Sequence, residues 1–522
     1  MMKNSLKILC TLVILASLVL PASAMLVPKK QATLLKPSLT DFDPLQDKII
    51  VTVTINEIRA LKTIDLLSNP DFYVKVNIND EEFISDVWQN TKYVENPEWS
   101  ASCEVPKDVE FVNITLALWD KNTLTDLLCD ISPDGDGNYT QQRTADLTYS
   151  IATAVWWGDD SLGDISGYGR LSGIDDNSIY QQDRDCELWF DITQNDFDAD
   201  GFPYWLETTM YDTNPLVDNR GEDADQDGIP IEWEHRFGLT YQEWGHDEGY
   251  YMVYDPVSWE NHTGTDEDED GLDNIEEYKT SQWGSDPFRQ DIFIEIDQME
   301  KGPNGEGSIV PVEAYDLLRD SYAKHNIVWH IDDGRLGAGG EFIPFKETVE
   351  DNDPEQWYWN YFMHNDKDNW RRGVFRWCIV SYNYTWAEGF VFGSRINGTS
   401  ALDAFFISTS FHDMRAKYYL ILGGILRGGT LNREMNRGYV YAGAIMHETG
   451  HTLNIQAPGC DARESIWPWQ ENYWRYANYK SCMNYRYVYR GIVDYSDGSH
   501  GKNDYDDWGT IDLTLINPRI HW

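Results

Sequence analysis

Apolar and polar residues alternate through KIIVTVTINEI from Lys48, DFYVKVNI from Asp71 and VNITLALWD from Val112. A period of two puts every second side chain on one face of a pleated strand, so these segments predict strands. Gly- and Asp-rich turns separate them, and no long helix is signalled before DCELWFDI at 185–192; the spacing predicts an all-β sandwich over residues 48–192. From Asp291 the texture changes. DIFIEID reads as a strand, VPVEAYDLLRDSYAKHN as an amphipathic helix and IVWHID as a second strand, with RWCIVSY, EGFVFGS and DAFFIST as further strands. A helix from about Tyr439 then carries the sequence HETGH, and residues 289–522 are predicted to form an α+β domain. At the other end, a basic start leads into an apolar run from Ile8 to Leu20 that closes on the small residues Ala22 and Ala24. That run is short for a membrane span and has the layout of a cleaved secretory signal over residues 1–24; the polar, Pro-punctuated stretch 25–47 predicts a linker or short propeptide.

Charge narrows the partners. The chain has 41 Lys+Arg against 88 Asp+Glu, a net −47, and removing Lys3 and Lys7 with the signal leaves 39 against 88, or −49. Such a surface repels phosphate backbones and argues against nucleic acid as a partner. High charge also marks disordered chains, but 22 Trp, 31 Tyr and 19 Phe supply the bulk for filled cores. Cys10 departs with the signal, leaving Cys103, Cys129, Cys186, Cys378, Cys460 and Cys482. An even set in an exported chain predicts disulfides, with Cys460–Cys482 and Cys129–Cys186 the preferred pairs. Sequons at Asn113, Asn138, Asn261, Asn383 and Asn397 permit glycosylation.

The acid is not spread evenly. DFDADGFPYWLE from Asp196, DADQDGIPIEWE from Asp223 and DEDEDGLDNIEE from Asp266 each fit D-x-D-x-D-G-x5-E. Asp196, Asp198, Asp200 and Glu207, then Asp223, Asp225, Asp227 and Glu234, then Asp266, Asp268, Asp270 and Glu277 are oxygen ligands that this spacing wraps around one calcium per loop. Gly201, Gly228 and Gly271 stand at the sixth position, where the turn is sharp. Residues 193–288 are therefore predicted to be a calcium-binding linker, stiffened when cations relieve the repulsion among its carboxylates. The apolar clusters before the loops read as strand or coil, so paired helices are not expected.

In MHETGHTLNIQAPGCD, from Met446, His447 and His451 lie four apart on a helix, so both imidazoles can face one metal with Glu448 between them. Zinc there acidifies a water, and Glu448 takes its proton as general base before passing it to the leaving amine. A catalytic zinc needs a third protein ligand. The commonest extended motif has glycine at position 454 and histidine at 457, but this chain has Asn454 and Ala457. Asp461 is the first choice, once the chain reverses at Pro458-Gly459; Cys460, Glu464 and His500 are alternatives, and Glu471 or Glu464 would serve a helical-glutamate geometry.

Three resemblances follow from these residues. The order NPDFYVKV, NPEWS, ITLALWDKN over roughly 48–130 resembles the calcium- and lipid-binding sandwich named for conserved region 2 of protein kinase C. This implies calcium ligands at Asp65, Asp71 and Asp120, with Asn122 where an acid is usual and Asp126 close by, and contact with a lipid or cell surface. The acidic array, with its trailing TNP and SDP, resembles thrombospondin type 3 repeats. Residues from Asp291 onward, with HETGH and the later SCMNY, resemble the metzincins, zinc peptidases with a methionine turn. That resemblance implies Met483 as an apolar floor beneath the metal and Tyr485 as a contact to the metal or the transition-state oxyanion. The chain is thus expected to be a secreted or cell-surface, calcium-stabilised zinc endopeptidase acting on protein or peptide substrates. The competing reading is a non-catalytic extracellular adhesion protein built on a degenerate peptidase fold.

Overall fold

Two packed β-sheets open the described part of the chain. The computed structural model describes residues 41–516 except 62–63, 66–67, 133–142, 161–168, 174–183, 245–246, 338, 385–388, 397–398, 420–432, 457–464 and 489. The expected signal peptide and residues 25–40 lie outside the described residues. In chain order the first strands are β1 (Ile49–Ala60), β2 (Phe72–Ile78), β3 (Glu81–Ile84), β4 (Tyr93–Val105), β5 (Phe111–Asp120), β6 (Leu127–Leu128), β7 (Ala145–Ser150), β8 (Trp156–Gly158), β9 (Arg170–Ser172) and β10 (Cys186–Gln194). One sheet runs β4-β1-β10-β9 and the other β3-β2-β5-β7-β8, with β6 paired to β5. Val51 and Val53 of β1, Val74 and Val76 of β2, Leu116 and Leu118 of β5, and Leu188 and Phe190 of β10 fill the layer between them. A bulge between Ile55 and Glu57 shifts the phase of β1 and lets both Ile55 and Ile58 reach the core.

Two expectations change here. Phe42 is buried in this core and its N–H donates to the Lys107 carbonyl at 2.9 Å, so the end of the segment expected as linker or short propeptide packs on the sandwich at Phe42 and Asp43. Cys103, Cys129, Cys186, Cys378 and Cys482 are free, buried thiols. Cys129 and Cys186 are hydrogen-bonded neighbours but no disulfide joins them, and burial holds the Cys186 thiol well above its ordinary pKa, in the unreactive protonated form. Cys482 is likewise unpaired, and Cys460 lies outside the described residues.

The acidic loops follow β10. The first leads into α1 (Tyr204–Leu206), which continues as a π turn over Glu207–Tyr211; the second leads into α2 (Ile231–Gly238) and the third into α3 (Asn274–Thr280). Strand β10 precedes the first loop and turn segments precede the other two, so each is a loop with an exit helix only. A hairpin of β11 (Leu239–Trp244) and β12 (Asp247–Met252) lies between the second and third loops.

The C-terminal part is mixed α/β. Its strands are β13 (Asp291–Met299), β14 (Val328–Asp332), β15 (Phe342–Ile343), β16 (Phe375–Ser381), β17 (Gly389–Ile396) and β18 (Thr399–Ser408), and its helices include α4 (Val312–Ala323), α5 (Thr409–Lys417), α6 (Arg433–Thr452) and α7 (Glu471–Arg475). The sheet order is β14-β13-β16-β18-β17, with β15 paired to β13. All pairings are parallel except that of β17, which runs antiparallel to β18 at the sheet edge. Helices α4 and α6 cover one face, packing Leu318, Tyr322, Tyr441 and Ile445 on Ile292, Ile294 and Ile296. The opposite face of β13 carries Glu295 and Asp297, which alternation would have sent to solvent. Both are fully buried, Glu295 against Arg371 at 2.6 Å and Asp297 against the Trp377 indole N–H at 2.9 Å.

Polar contacts tie the three parts together. Glu187 of β10 is fully buried and pairs with Arg170, with Arg59 at 3.2 Å and with Arg289 at 3.3 Å. Arg170 also donates to Asn326 at 2.6 Å, and Tyr93 of β4 donates to Asp320 of α4 at 2.8 Å. Among the described residues no helix is long and apolar enough to cross a membrane.

Candidate metal sites

Helix α6 begins six residues before the expected Tyr439 and buries Val440, Tyr441, Ala444 and Ile445, so its position is set by packing on the sheet. That packing turns His447 and His451 to the same side, one turn apart, with ring centroids 4.9 Å apart and planes at 87°. His447 Nδ1 lies 2.9 Å from the Cys482 carbonyl oxygen. A carbonyl only accepts, so Nδ1 carries the proton and the Nε2 lone pair is the one available to a metal. Burial and the neighbouring His451 push the His447 pKa down to about 3, which keeps the ring neutral.

SCMNY sits directly beneath. A Cβ on Gly450 would stand 2.5 Å from Met483 Sδ, so the glycine of HETGH gives the methionine its place under the helix. Ser481 Oγ accepts from the Met483 N–H at 3.0 Å, and the Asn484 amide donates to the carbonyls of Tyr476 and Tyr479, which fixes the turn. The Tyr485 ring lies 5.3 Å from that of His447. Glu448 is buried, and a Cβ on Gly389 would fall 2.4 Å from its Oε1, so the carboxylate rests on the backbone of edge strand β17.

The structure thus gathers His447, Glu448, His451, Met483 and Tyr485. Asp461, Cys460 and Glu464 lie outside the described residues. His500 bonds in its own loop instead, with Nδ1 3.0 Å from Asp504 and 3.6 Å from Asp497, and Glu471 opens the short helix α7. Asn454 adopts a left-handed φ of 65°, and the Ile455 N–H closes back on the Gly450 carbonyl at 2.9 Å. Asparagine therefore performs the helix-stopping turn that glycine usually makes, and the reversal expected at Pro458-Gly459 lies outside the described residues.

The acidic loops share one geometry. In each, the first aspartate accepts from the N–H groups of positions five and six: Asp196 from Asp200 and Gly201, Asp223 from Asp227 and Gly228, Asp266 from Asp270 and Gly271. The sixth-position glycines have φ of 96°, 107° and 97°. One oxygen from each of the three aspartates of a loop lies within 4.8 Å of the others. Both carboxylate oxygens of Asp198 and Asp225, Asp268 Oδ2, Glu234 Oε1 and Glu277 Oε1 are buried and receive no hydrogen bond. Buried oxygens without donors are costly unless a cation meets them. Burial first, then Asp200 and Asp198, push Glu207 up to about 8; burial raises Glu234 to about 7 and Glu277 well above the usual range.

At the tip of the sandwich, Asp120 accepts from the Asp71 N–H at 2.8 Å and from the Asn122 amide at 2.8 Å, while Asp126 accepts from the Asn122 N–H and from Tyr73. Burial, then nearby Asp65 and Asp71, raise the Asp120 pKa. Asn122 therefore places an N–H donor on the Asp120 carboxylate. Sequence reasoning missed Gly389, Gly450 and the buried His262 beside the second loop. Gly450 alone lay in a motif, and nothing local marks the other two.

The family model described as C2 domain matches residues 50–129, which run from β1 to just past the end of β6, so a C2 domain forms the N-terminal sandwich. No curated protein matches the chain. Among solved structures, it is similar to human GIVD cytosolic phospholipase A2 in complex with methyl gamma-linolenyl fluorophosphonate, at 16% identity and a TM-score of 0.17 over 30% of this chain and 18% of that one. It is also similar to a C2 domain of plant extended synaptotagmin 1, at 11% identity and a TM-score of 0.18 over 28% of this chain and 93% of that one. A C2 domain protein from Ramazzottius varieornatus matches at 12% identity and a TM-score of 0.18, over 28% of this chain and 88% of that one.

Proposed function

We propose that the chain is a secreted, calcium-stabilised zinc endopeptidase whose C2 domain contacts a lipid or cell surface. The observation that carries this reading is the hydrogen bond from buried His447 Nδ1 to the Cys482 carbonyl, which leaves the lone pair of the ring on Nε2, with the His451 ring beside it. Such a bond fixes the tautomer a metal ligand requires, and a histidine that served only to fill the core would gain nothing from it beyond satisfaction of one donor. The two imidazoles suit zinc, which would supply Lewis acidity to polarise a carbonyl and acidify a water. Glu448 accepts the proton at its carboxylate and returns it to the leaving amine. Among the described residues β17 ends the sheet beside Glu448, so an extended peptide can add to it as a further strand, its carbonyl near the base. Tyr485, whose ring lies 5.3 Å from that of His447, would donate to the developing oxyanion. The calcium reading of Asp196–Glu207, Asp223–Glu234 and Asp266–Glu277 is supported by the donor-free buried oxygens in their loops.

The test is Glu448→Gln in the mature protein, with zinc content and hydrolysis of an unspecific protein substrate measured together. Hydrolysis is expected to fall at least about a hundredfold, on the order of the contribution of a general base, with zinc retained. Activity equal to that of the unmutated chain would refute the mechanism. Absence of both zinc and activity from the unmutated chain would favour the adhesion-protein reading.

A further inference from the structure

The central acidic loop differs from its neighbours at one point. In the first loop the twelfth-position glutamate is held by a hydroxyl, Thr213 donating to Glu207 Oε1 at 3.1 Å, and in the third Ser285 donates to Glu277. In the central loop an imidazole stands there. His262 Nε2 lies 3.5 Å from Glu234 Oε1 and 3.0 Å from Asp227 Oδ2, and a ligand atom from each of the three residues falls within a 4.8 Å cluster. His262 is 2% exposed and Glu234 1%, and neither Nε2 nor Oε1 makes a hydrogen bond of proper geometry. Both oxygens of Asp225, in the same loop, are also buried without a donor.

The ring is held in place from outside the loop. Trp233 and Tyr254 meet it edge to face at 6.4 and 5.4 Å, and Nδ1 lies 3.0 Å from the side-chain nitrogen of Asn274, the first residue of the exit helix of the third loop. Turning that amide end for end exchanges its nitrogen and oxygen without a change of shape. With a cation in the loop, the Nδ1–H would then donate to Asn274 and the Nε2 lone pair would face the ion beside Asp227 and Glu234, the arrangement that orients a ligating histidine.

We infer that Asp223, Asp225, Asp227, Glu234 and His262 form a mixed nitrogen–oxygen site that takes a divalent transition ion, zinc serving as the probe, in preference to calcium. The inference rests on reading the three loops as cation sites, and it replaces calcium with a transition ion in the central loop alone. Calcium is served by oxygen ligands alone, whereas one imidazole in the set favours zinc and its neighbours in the first transition row. The flanking loops, which present hydroxyls at the equivalent point, keep calcium.

The experiment uses the full chain carrying His447→Gln and His451→Gln, so that the helix pair contributes nothing. The protein is stripped by chelation, dialysed against about 1 mM calcium, the upper range for extracellular modules, with a small amount of zinc, and its bound metals are counted. One zinc per chain is expected, with two calcium ions beyond any held by the C2 domain. Adding His262→Gln should weaken zinc retention by about 100-fold or more, since losing a group that merely orients a ligand is already worth 10–100-fold, and return the count to three calcium. Manganese loaded into the parent gives a measurement that needs no change at position 262: pulsed electron paramagnetic resonance should detect a nitrogen coupling. Three calcium ions with no zinc, zinc retention indifferent to His262→Gln, or manganese without nitrogen coupling each overturn the inference and leave the calcium reading standing. Failure of the loops to bind either ion overturns both.

Discussion

Gly389 has no room for a side chain, because a Cβ there would meet Glu448 Oε1 at 2.4 Å and the Phe406 carbonyl at 3.0 Å. If Glu448 is the general base, Gly389→Ala must push its carboxylate away from the position where it takes a proton. Hydrolysis should fall at least tenfold, about 1.4 kcal/mol in barrier, with zinc content unchanged. Unaltered activity would detach the carboxylate's contact with β17 from the mechanism. The third zinc ligand is tested in the same way. Asp461→Ala should lower zinc affinity markedly and His500→Ala should not, since His500 is engaged by Asp504 and Asp497. The reverse pattern would assign the ligand to His500. At this scale the sequence was legible where spacing is local: His447, Glu448 and His451 on one helix, and Met483 and Tyr485 in one turn. It was silent on Gly389 and His262, whose roles arise from segments far apart in the chain. Asn454 misled as a departure from glycine, since asparagine enters the left-handed region too.

Strands were readable wherever one face met water and the other a core, as in β1, β2 and β5. Strand β13 was readable as a strand but not for its surroundings, because buried Glu295 and Asp297 look like solvent-facing acids until Arg371 and Trp377 are brought to them. The same limit hid Glu187. Its burial would raise its pKa, but Arg170, Arg59 and Arg289 outweigh burial and hold it down at about 2, against an ordinary 4.5. A depressed carboxylate contributes stability above its unfolded pKa and loses it as pH falls through the folded value. The unmutated protein should therefore lose stability as pH drops from 4.5 toward 2 at a steeper rate than Glu187→Gln does. Near neutral pH, Glu187→Gln should cost about 3–5 kcal/mol, because it leaves buried guanidinium groups facing a neutral amide. Parallel pH profiles for the two proteins, read by thermal melting, would remove Glu187 from the account of how β10 is joined to Arg289.

At the scale of the whole molecule, among the described residues the third acidic loop is the one that reaches the start of the C-terminal sheet. Asp270 Oδ2 accepts from the N–H of Asp291, the first residue of β13, at 2.7 Å, and Gln290 donates to the Asp268 carbonyl at 2.9 Å. Asp291 in turn holds His330 of β14 at 2.7 Å, so a cation in this loop would brace the start of two neighbouring strands. Gly271 also lies against Thr514 and Leu513, and the Leu513 carbonyl accepts from Arg376 of β16 at 3.1 Å. Calcium binding to the folded chain alone stabilises it by about 1.4 kcal/mol per site at a tenfold excess over Kd. For a domain of this size that is roughly 3–6 °C in melting temperature for each site. Chelating calcium while zinc is held constant should expose residues 196–288 to proteolysis, with a midpoint of roughly 0.1–1 mM calcium. Glu277→Gln, which weakens the third loop, should lower both the melting temperature of the C-terminal domain and its hydrolytic activity. Glu207→Gln, in the loop that follows β10, should affect the sandwich end and spare activity. Equal effects of the two substitutions on hydrolysis would mean that the loops act as one unit and that the Asp270–Asp291 contact carries no special share of the coupling.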